Sequence, residues 1–366
     1  MRLGFIIYGD LSITSGGYLY DRQLVRYLQG QGDEVEVILL PWRDYGRHLL
    51  DNLRLKLMQR LRHSDIDILL QDELNHPSLF WLNNRLRAHI TYPIISIIHH
   101  LRSSEQHPNW QLKLYRRVER SYLQSVDGFV FNSKTTRATV KALSGEEKPN
   151  IVAYPAGNHL ANNAVTQTSI LERAQRGGSL RLLFVGNVAP RKGLHLLLAA
   201  LAKVPQEMWQ LDVVGDLDMD SKYAGHLIKS ADSSGLSANI TWHGRLPDDA
   251  LSSKMARSHL LVIPSSYEGF GIAYLEGMHY GLPAIGTTSG AAHEIINVGQ
   301  NGFLIAPDDA GSLAHQIKTF YKDRRLLAQM GIAALERSRT HPTWDTSMHN
   351  VRKFLLGVRH LKRLLP

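Results

Sequence analysis

The sequence predicts an α/β protein with two domains, each built on a parallel β-sheet. Apolar runs of strand length alternate with longer amphipathic stretches along most of the chain. Strand–helix alternation of this kind produces parallel sheets with right-handed crossovers. The length of 366 residues suits roughly two domains. A poorly phased stretch at 161–178, rich in Asn, Thr, Gln and Gly, separates two such series and indicates a linker.

The apolar runs place the elements of both series. Strands of the first series are predicted at 3–8, 35–40, 66–71, 94–99, 128–131 and 151–154. Helices are predicted between them, for example at 20–29 and 110–125. Strands of the second series are predicted at 180–185, 209–214, 240–243, 260–264, 283–287 and 302–305. We expect an N-terminal domain at 1–165, a linker at 166–178, a C-terminal domain at 179–345, and a basic helix at 346–366 that packs back on the N-terminal domain.

Composition narrows the classes of function. The chain has no cysteine, which excludes disulfides, thiolate metal sites and cysteine nucleophiles. Its formal net charge of +9 favours anionic partners, such as nucleotide diphosphates, acidic membranes or nucleic acid, without choosing among them. No apolar run approaches the ~18 residues that span a bilayer. Residues 1–8 have the pattern of a strand rather than a signal peptide, so a cytoplasmic protein is expected.

The most informative segment contains Glu268 and Glu276, separated by a Gly-Phe-Gly bend and an apolar stretch. It follows the apolar run 260–264, which is typical of a buried strand. Glu268 is expected in the turn and Glu276 about two helical turns further on, close to the same face. Glycines let a ligand approach the backbone, and the free N–H groups of a helix start favour an anion. The pattern suits a nucleotide sugar, and it also suits an ordinary strand–turn–helix with exposed acids.

A second candidate loop lies between the strand at 180–185 and an apolar helix that begins near residue 194. It contains Arg191 and Lys192. Lysine supplies a point charge and arginine a planar fork, and both match phosphate oxygens. With the helix N-terminus they could hold a diphosphate. A solvated loop with routine basic residues is the alternative.

Taken in order, these motifs resemble the retaining glycosyltransferases of family four, which have the GT-B fold. The matching pieces cover most of the chain and are Gly16-Gly17, His99, 119–133, 186–193, 213–216, His243-Gly244, 263–265, the Glu268/Glu276 pair, 281–283 and Glu294. The resemblance implies two Rossmann-like domains that face each other across a deep cleft. It implies transfer of a hexose, with retention, from a nucleotide diphosphate sugar to a hydroxyl of a glycan or lipid-linked acceptor. A UDP-sugar is favoured as donor, and GDP-mannose is the alternative.

The resemblance also implies roles for the matching residues. Glu276 would bind ribose hydroxyls, and Glu268 would contact hydroxyls of the transferred sugar, with His99 beside that sugar. Lys192 and Arg191 would stabilise the leaving diphosphate. The other positions expected to bind the donor are Gly16, Gly17, Asn187, Arg245, Phe270, Gly271 and Ile272. No protein nucleophile is implied.

Two features concern charge at the donor site. Asn187 stands where the family usually has arginine, so Arg191 is expected to do part of that work. The stretch 216–220 has the Asp-x-Asp spacing that binds Mg²⁺ or Mn²⁺ in glycosyltransferases of another fold. Because the family places an exposed loop there, we expect no metal and no other cofactor.

The segment 43–62 places Arg47, Arg54, Lys56, Arg60 and Arg62 among leucines. This pattern suits an anionic membrane surface, and a core-packed helix with a solvated basic face is the alternative. Two other classes of function stay open. One is a non-catalytic protein that binds nucleotide sugars or glycans. The other, suggested by charge alone, is a nucleic-acid-binding protein, which we do not expect because basic residues are not interleaved with aromatics in a recognisable module.

Overall fold

The structure is a computed structural model that describes residues 1–160 and 165–364, with side chains described to residue 360. The part of the predicted linker at 161–164 lies outside the described residues. The chain forms two compact units, Met1–Pro155 with Trp344–Pro366 and Ala156–Thr343. The chain therefore enters the second unit before the predicted boundary at residue 165.

The first unit contains a parallel sheet of six strands. Its strands are β1 (Arg2–Tyr8), β2 (Glu34–Leu40), β3 (Ile68–Asp72), β4 (Ile94–Ile98), β5 (Gly128–Phe131) and β6 (Asn150–Val152). Its helices are α1 (Gly16–Gly30), α2 (Tyr45–Leu50), α3 (Leu55–Arg62), α4 (His76–Arg87), α5 (Asn109–Ser125) and α6 (Lys134–Ser144). The strand order is β2-β1-β3-β4-β5-β6. Because the order reverses between β1 and β3, the loops after these strands lie at a topological switch point, where such sheets bind ligands.

The second unit repeats this design. Its strands are β7 (Leu180–Val185), β8 (Trp209–Val214), β9 (Ile240–Gly244), β10 (Leu260–Val262), β11 (Ala284–Thr287) and β12 (Gly302–Ile305). Its helices are α7 (Gln167–Gln175), α8 (Leu194–Leu201), α9 (Ser221–Ser233), α10 (Asp248–Arg257), α11 (Ile272–His279), α12 (Ala310–Lys322) and α13 (Arg324–Thr340). The order β12-β11-β10-β7-β8-β9 places the switch point between β10 and β7. The two predicted parallel sheets are confirmed, each with six strands.

The prediction of a linker is wrong for residues 167–175, because these residues form α7. The helix starts with a capping box in which Thr166 and Ser169 exchange side-chain and backbone hydrogen bonds. Its buried face carries Ile170 and Ala174 and packs on α13. The polar composition that indicated a linker includes the capping residues, which favour a helix start rather than a coil.

The last helix, α14 (Trp344–Leu364), belongs to the first unit and packs on α1. Arg352 at its centre pairs with the buried Asp33 at 2.6 Å. Although α14 has 21 residues, no helix in the described part of the chain is both long and apolar enough to cross a membrane.

The basic segment 43–62 is two helices rather than one. A 3-10 turn at Asp51–Leu53 separates α2 from α3. The turn forms because the buried Asp51 holds Arg43 and Arg54 in ion pairs of 3.1 Å each. Part of the basic character of the segment is therefore neutralised within the fold.

Candidate active site

Two loops of the second unit meet beside the switch point between β7 and β10. A 3-10 turn at Pro190–Lys192 follows β7, and a turn that contains Glu268 follows β10. The backbone N–H of Ser266 donates to the carbonyl of Arg191 at 2.8 Å and ties the loops together. The structure therefore brings together three predicted residues, Arg191, Lys192 and Glu268, at the carboxyl ends of adjacent strands.

Lys192 and Glu268 form the central contact of this site. Nζ of Lys192 donates to Oε1 of Glu268 at 2.5 Å, and Oγ of Ser265 donates to the same oxygen at 2.7 Å. Burial alone would raise the pKa of Glu268, but the charges of Lys192 and Arg191 and the two hydrogen bonds hold this pKa below its ordinary value. Burial lowers the pKa of Lys192, and the charge of Glu268 opposes that shift. The carboxylate is thus kept ionised beside a cation that is 20% exposed.

Arg191 lies beside this pair, and its guanidinium donates to the carbonyl of Tyr267 at 2.9 Å. Its charge contributes to lowering the pKa of both Glu268 and Lys192, so it adds to the positive potential of the site. Asn187 is half-buried in the loop after β7 and adds no charge. That Arg191 replaces an arginine missing at Asn187 stays a prediction.

The turn before α11 depends on Gly271, which has a φ of 100°. A Cβ at this position would lie 2.5 Å from the ring of Tyr274, and a positive φ disfavours any other residue. The helix begins at Ile272, and its first N–H groups have no partner within the helix, so they can receive an anion. The ring of Phe270 is buried and packs near His341.

Glu276 lies about one turn into α11, which starts at Ile272. Its side chain is 10% exposed, and its Oε1 lies 3.2 Å from Nε2 of His159. The charge of Glu276 raises the pKa of Lys192, against the larger effect of burial. Two carboxylates therefore act on one ammonium group.

Ser265 and His159 are site residues that sequence reasoning missed. Ser265 follows β10 closely, and a serine in an acidic turn is too common to be a signal. His159 comes shortly after β6, and its spacing from other residues does not indicate a contact with α11. Only the folded chain shows that both residues hold the predicted glutamates.

Arg245 belongs to a different group of contacts, at the ends of β8 and β9. Its guanidinium pairs with Asp216 at 2.6 Å and remains more than half exposed. Asp216 also accepts from the N–H of Asp218, and Asp220 caps α9 by accepting from the N–H of Tyr223. Two of the three acids in the Asp-x-Asp stretch therefore already have structural roles.

In the first unit, His99 is held on several sides at the end of β4. Its N–H donates to Oε2 of Glu73 at 2.7 Å, and its carbonyl accepts from Nδ2 of Asn132 at 2.7 Å. Gly16 and Gly17 begin α1, and a Cβ on Gly17 would lie 3.0 Å from the imidazole ring. The predicted Gly17 and His99 are therefore brought into contact.

Behind His99 lie two buried acids that were not predicted. Nε2 of His99 is 3.3 Å from Oδ1 of Asp21, and carboxylate oxygens of Asp21 and Asp72 lie within 4.8 Å of each other. Burial raises the pKa of both carboxyl groups and lowers the pKa of His99. When one of two close, buried carboxyl groups holds a proton, the pair carries one negative charge rather than two.

The same three residues have the geometry of a metal site. Among the residues that the structure describes, ligand atoms of Asp21, Asp72 and His99 form a group within 4.8 Å of one another. A shared proton accounts for the close acids without a cation. The sequence carried one signal for Asp21, because it lies on the apolar face of α1, between the buried Tyr18 and Leu24.

Two doubly wound sheets, one with a lysine–carboxylate cluster at its switch point, define the Rossmann-like GT-B class of fold. Residues 18–157 match the family described as Glycosyltransferase Family 4, and residues 168–337 match Glycosyl transferases group 1. The chain therefore belongs to the group 1 glycosyltransferases of family four.

Curated relatives and solved structures agree with this assignment. An uncharacterized glycosyltransferase of Methanocaldococcus jannaschii is 30% identical over 47% of this chain and 46% of its own length. The O-antigen chain mannosyltransferase B of Escherichia coli is 27% identical over 72% of this chain and 70% of its own. The chain thus matches about half of one relative and about two thirds of the other.

Similar solved structures include sucrose-phosphate synthase from Thermosynechococcus elongatus, with a TM-score of 0.83 and 19% identity over 98% of this chain and 99% of that one. Anabaena HepE in complex with UDP-glucose has a TM-score of 0.76 and 19% identity over 98% and 100% of the two chains. At this identity the structures support the fold.

Proposed function

We propose that this protein is a retaining hexosyltransferase that transfers a sugar from a nucleotide diphosphate sugar to a hydroxyl of a glycan or lipid-linked acceptor. The observation that carries the proposal is the cluster of Lys192, Glu268 and Glu276 at the switch point of the second unit. A cation there can stabilise a departing diphosphate, and ionised carboxylates can accept from hydroxyls. The family assignment supports this use of the cluster.

Each group of the site has a part in this proposal. Glu276 accepts from the ribose hydroxyls, and Glu268 accepts from hydroxyls of the transferred sugar. Lys192 has three N–H donors, so it can keep its bond to Glu268 and still donate to phosphate oxygens. Backbone N–H groups at Phe270 to Ile272 would meet the distal phosphate at the start of α11. Gly16, Gly17, Asn187 and Arg245 complete the proposed donor contacts.

The chemical task is to stabilise negative charge as the diphosphate leaves. Fixed cations and amides that are already oriented toward the developing charge lower the barrier most effectively. No side chain is proposed as a nucleophile. The departing phosphate would accept the proton of the acceptor hydroxyl on the same face of the sugar, which gives retention. His99 would lie beside the sugar, and its low pKa keeps it a neutral hydrogen-bonding group.

The donor is proposed to be a UDP-sugar, with GDP-mannose as the alternative. A similar fold was solved with UDP-glucose, whereas one relative is named as a mannosyltransferase. A thermal-shift panel with UDP, GDP and ADP separates these cases, because a ligand at 100 times its Kd stabilises the native state by about 2.7 kcal/mol. We expect UDP to raise the Tm most and Glu276→Gln to reduce that shift. A panel without any shift would contradict the proposal, and binding without turnover of any donor would favour a binding protein.

We further propose that catalysis needs no metal or other cofactor. Lys192 and Arg191 supply positive charge at the site, and Asp216 and Asp220 are already engaged with Arg245 and with α9. Turnover should therefore survive EDTA, and Asp218→Asn should have little effect. Loss of activity in EDTA that Mn²⁺ restores would contradict this proposal.

The acceptor is proposed to be membrane-borne, with docking through the first unit. Exposed Leu50 and Leu53 lie on either side of Asp51 and Asn52, and the side chain of Asn52 accepts from the N–H of Trp81. Trp81 is also exposed, and its ring lies 5.2 Å from the guanidinium of Arg85. Exposed apolar side chains beside cations suit an anionic lipid surface.

A further inference from the structure

His159 makes a specific contact with the glutamate proposed to bind ribose. Its Nε2 lies 3.2 Å from Oε1 of Glu276, and the two side chains are 16% and 10% exposed. A largely buried imidazole nitrogen at this distance attracts the carboxylate, because the surroundings screen the interaction less than water does. The contact lies within the second unit, which includes everything from Ala156 to Thr343.

The backbone around His159 is built against α11. A Cβ on Gly157 would lie 2.6 Å from the carbonyl carbon of Leu275 and 2.7 Å from the nitrogen of Glu276. Only glycine permits this approach, and the neighbouring Ala156 and Leu160 are buried. The segment that carries His159 is therefore fixed relative to the helix that carries Glu276.

A carboxylate that binds a vicinal diol must point both oxygens in one direction. The side chain of Glu276 has three rotatable bonds, and fixing them on binding would cost conformational entropy. An imidazole nitrogen 3.2 Å from Oε1 favours one orientation before the ligand arrives. Each carboxylate oxygen has about two lone pairs, so Oε1 can accept from His159 and still accept from a hydroxyl.

We propose that His159 is a positioning residue for donor binding, which holds the Glu276 carboxylate in the orientation that accepts the ribose hydroxyls. The inference rests on the proposed function, because it assumes that Glu276 binds ribose. It adds a residue outside the two-glutamate motif to the donor site. His159 acts on the nucleotide only through Glu276.

The test compares UDP with 2′,3′-dideoxy-UDP by calorimetric titration. His159→Ala should weaken UDP binding by about tenfold, because the side chain of Glu276 must then lose its rotamer freedom when the ligand binds. It should leave the affinity for the dideoxy nucleotide unchanged, since that ligand has no hydroxyls for Glu276. His159→Gln, whose amide can donate to Glu276, should recover part of the loss. His315→Ala, an exposed histidine on α12, is the control and should bind both nucleotides normally.

Steady-state kinetics of the His159→Ala variant test the same inference independently. His159→Ala should raise the KM for the nucleotide sugar and leave kcat at saturation little changed, because the leaving group is stabilised by Lys192. Equal losses for UDP and the dideoxy nucleotide would mean a structural role and would overturn the inference. Normal UDP affinity in His159→Ala, with a loss in Glu276→Gln, would overturn the inference alone. Normal affinity in Glu276→Gln would overturn the proposed ribose contact as well.

Discussion

At the residue scale, Lys192 has one role in stability and one proposed role in catalysis, and a pair of substitutions can separate them. It compensates the buried charge of Glu268, which is a matter of stability. It is also proposed to stabilise the leaving diphosphate, which is a matter of turnover. Removing one member of a buried ion pair destabilises a protein because the other charge is left uncompensated. A single substitution therefore confounds the two roles.

We predict that Lys192→Met lowers kcat on the order of 10²-fold, the typical effect of removing one donor that acts on developing charge. It should also lower the Tm. Adding Glu268→Gln should restore much of the Tm, because no charge is then left unpaired, but should not restore kcat. Assays of turnover and melting on both variants check this. Recovery of kcat in the double variant would show that Lys192 serves only to neutralise Glu268.

The Asp21–Asp72 pair predicts a pH dependence of stability. Burial raises the pKa of Asp21 to about 7 from an ordinary 3.8. Above pH 4 the unfolded chain releases the proton of Asp21 but the folded chain keeps it, so the folded state binds more protons. The unfolding free energy therefore falls as pH rises from about 4 to about 7.

Asp21→Asn removes this ionisation. We predict that the difference between the Tm of Asp21→Asn and the Tm of the wild type becomes more positive as pH rises from 5 to 8. Melting curves across this range test the sign of the difference. Asp249→Asn, an exposed acid on α10, is the control and should show a constant difference. Parallel curves for Asp21→Asn would contradict the raised pKa.

These residues also show what the sequence could predict about the site. Lys192, Glu268 and Glu276 were predicted because each lies in a local motif, a strand end followed by a glycine bend and a helix. His159, which contacts Glu276, and Asp21, which contacts His99, were not predicted, because each contact joins chain segments far apart in sequence. Pairings of that kind depend on how loops and helices pack, and no local periodicity encodes them.

At the scale of elements, α7 shows why the linker prediction failed. Strands that are buried on both faces, such as β4 and β10, are nearly continuous apolar runs and could be predicted directly from the sequence. The helix α7 has only a narrow apolar face, and much of its attachment comes from a polar side chain. The buried Arg173 donates to the carbonyls of Ala256, Tyr280 and Gly281 at 2.8–3.0 Å. From composition alone, such an arginine is interpreted as a solvated cation, which favours a linker over a packed helix.

We predict that Arg173→Met lowers the unfolding free energy by about 2–4 kcal/mol. Methionine retains the length of the side chain, but the three carbonyls lose their donors, and each buried group left unsatisfied costs roughly 1–3 kcal/mol before water compensates. Urea unfolding measures the change. Arg176→Met, at the exposed end of the same helix, should cost less than about 0.5 kcal/mol. Similar losses in the two variants would mean that α7 is held by packing alone.

At the scale of the whole molecule, the net charge of +9 and the exposed apolar side chains both support the proposed contact with an anionic membrane surface. Leu50, Leu53 and Leu55 are each more than half exposed within the basic segment 43–62. Several of its cations are neutralised, since Arg54 pairs with Asp51 and Arg60 with Glu36. Lys56 and Arg62 are exposed, and the structure shows no ion pair for them among the described residues. These two cations and the leucines are therefore the groups to test.

We predict that the protein co-sediments with anionic vesicles and not with neutral ones. Each cation near an anionic surface contributes about 1 kcal/mol, an attraction that salt screens. Lys56→Glu with Arg62→Glu should reduce binding because it reverses two charges, and Leu50→Glu with Leu53→Glu should reduce it because insertion is lost. Val298→Glu, which replaces an exposed apolar residue of the second unit, is the matched control and should bind as the wild type does. Absence of binding at low salt would favour a soluble sugar acceptor, and equal loss in the Val298 variant would mean that only net charge matters.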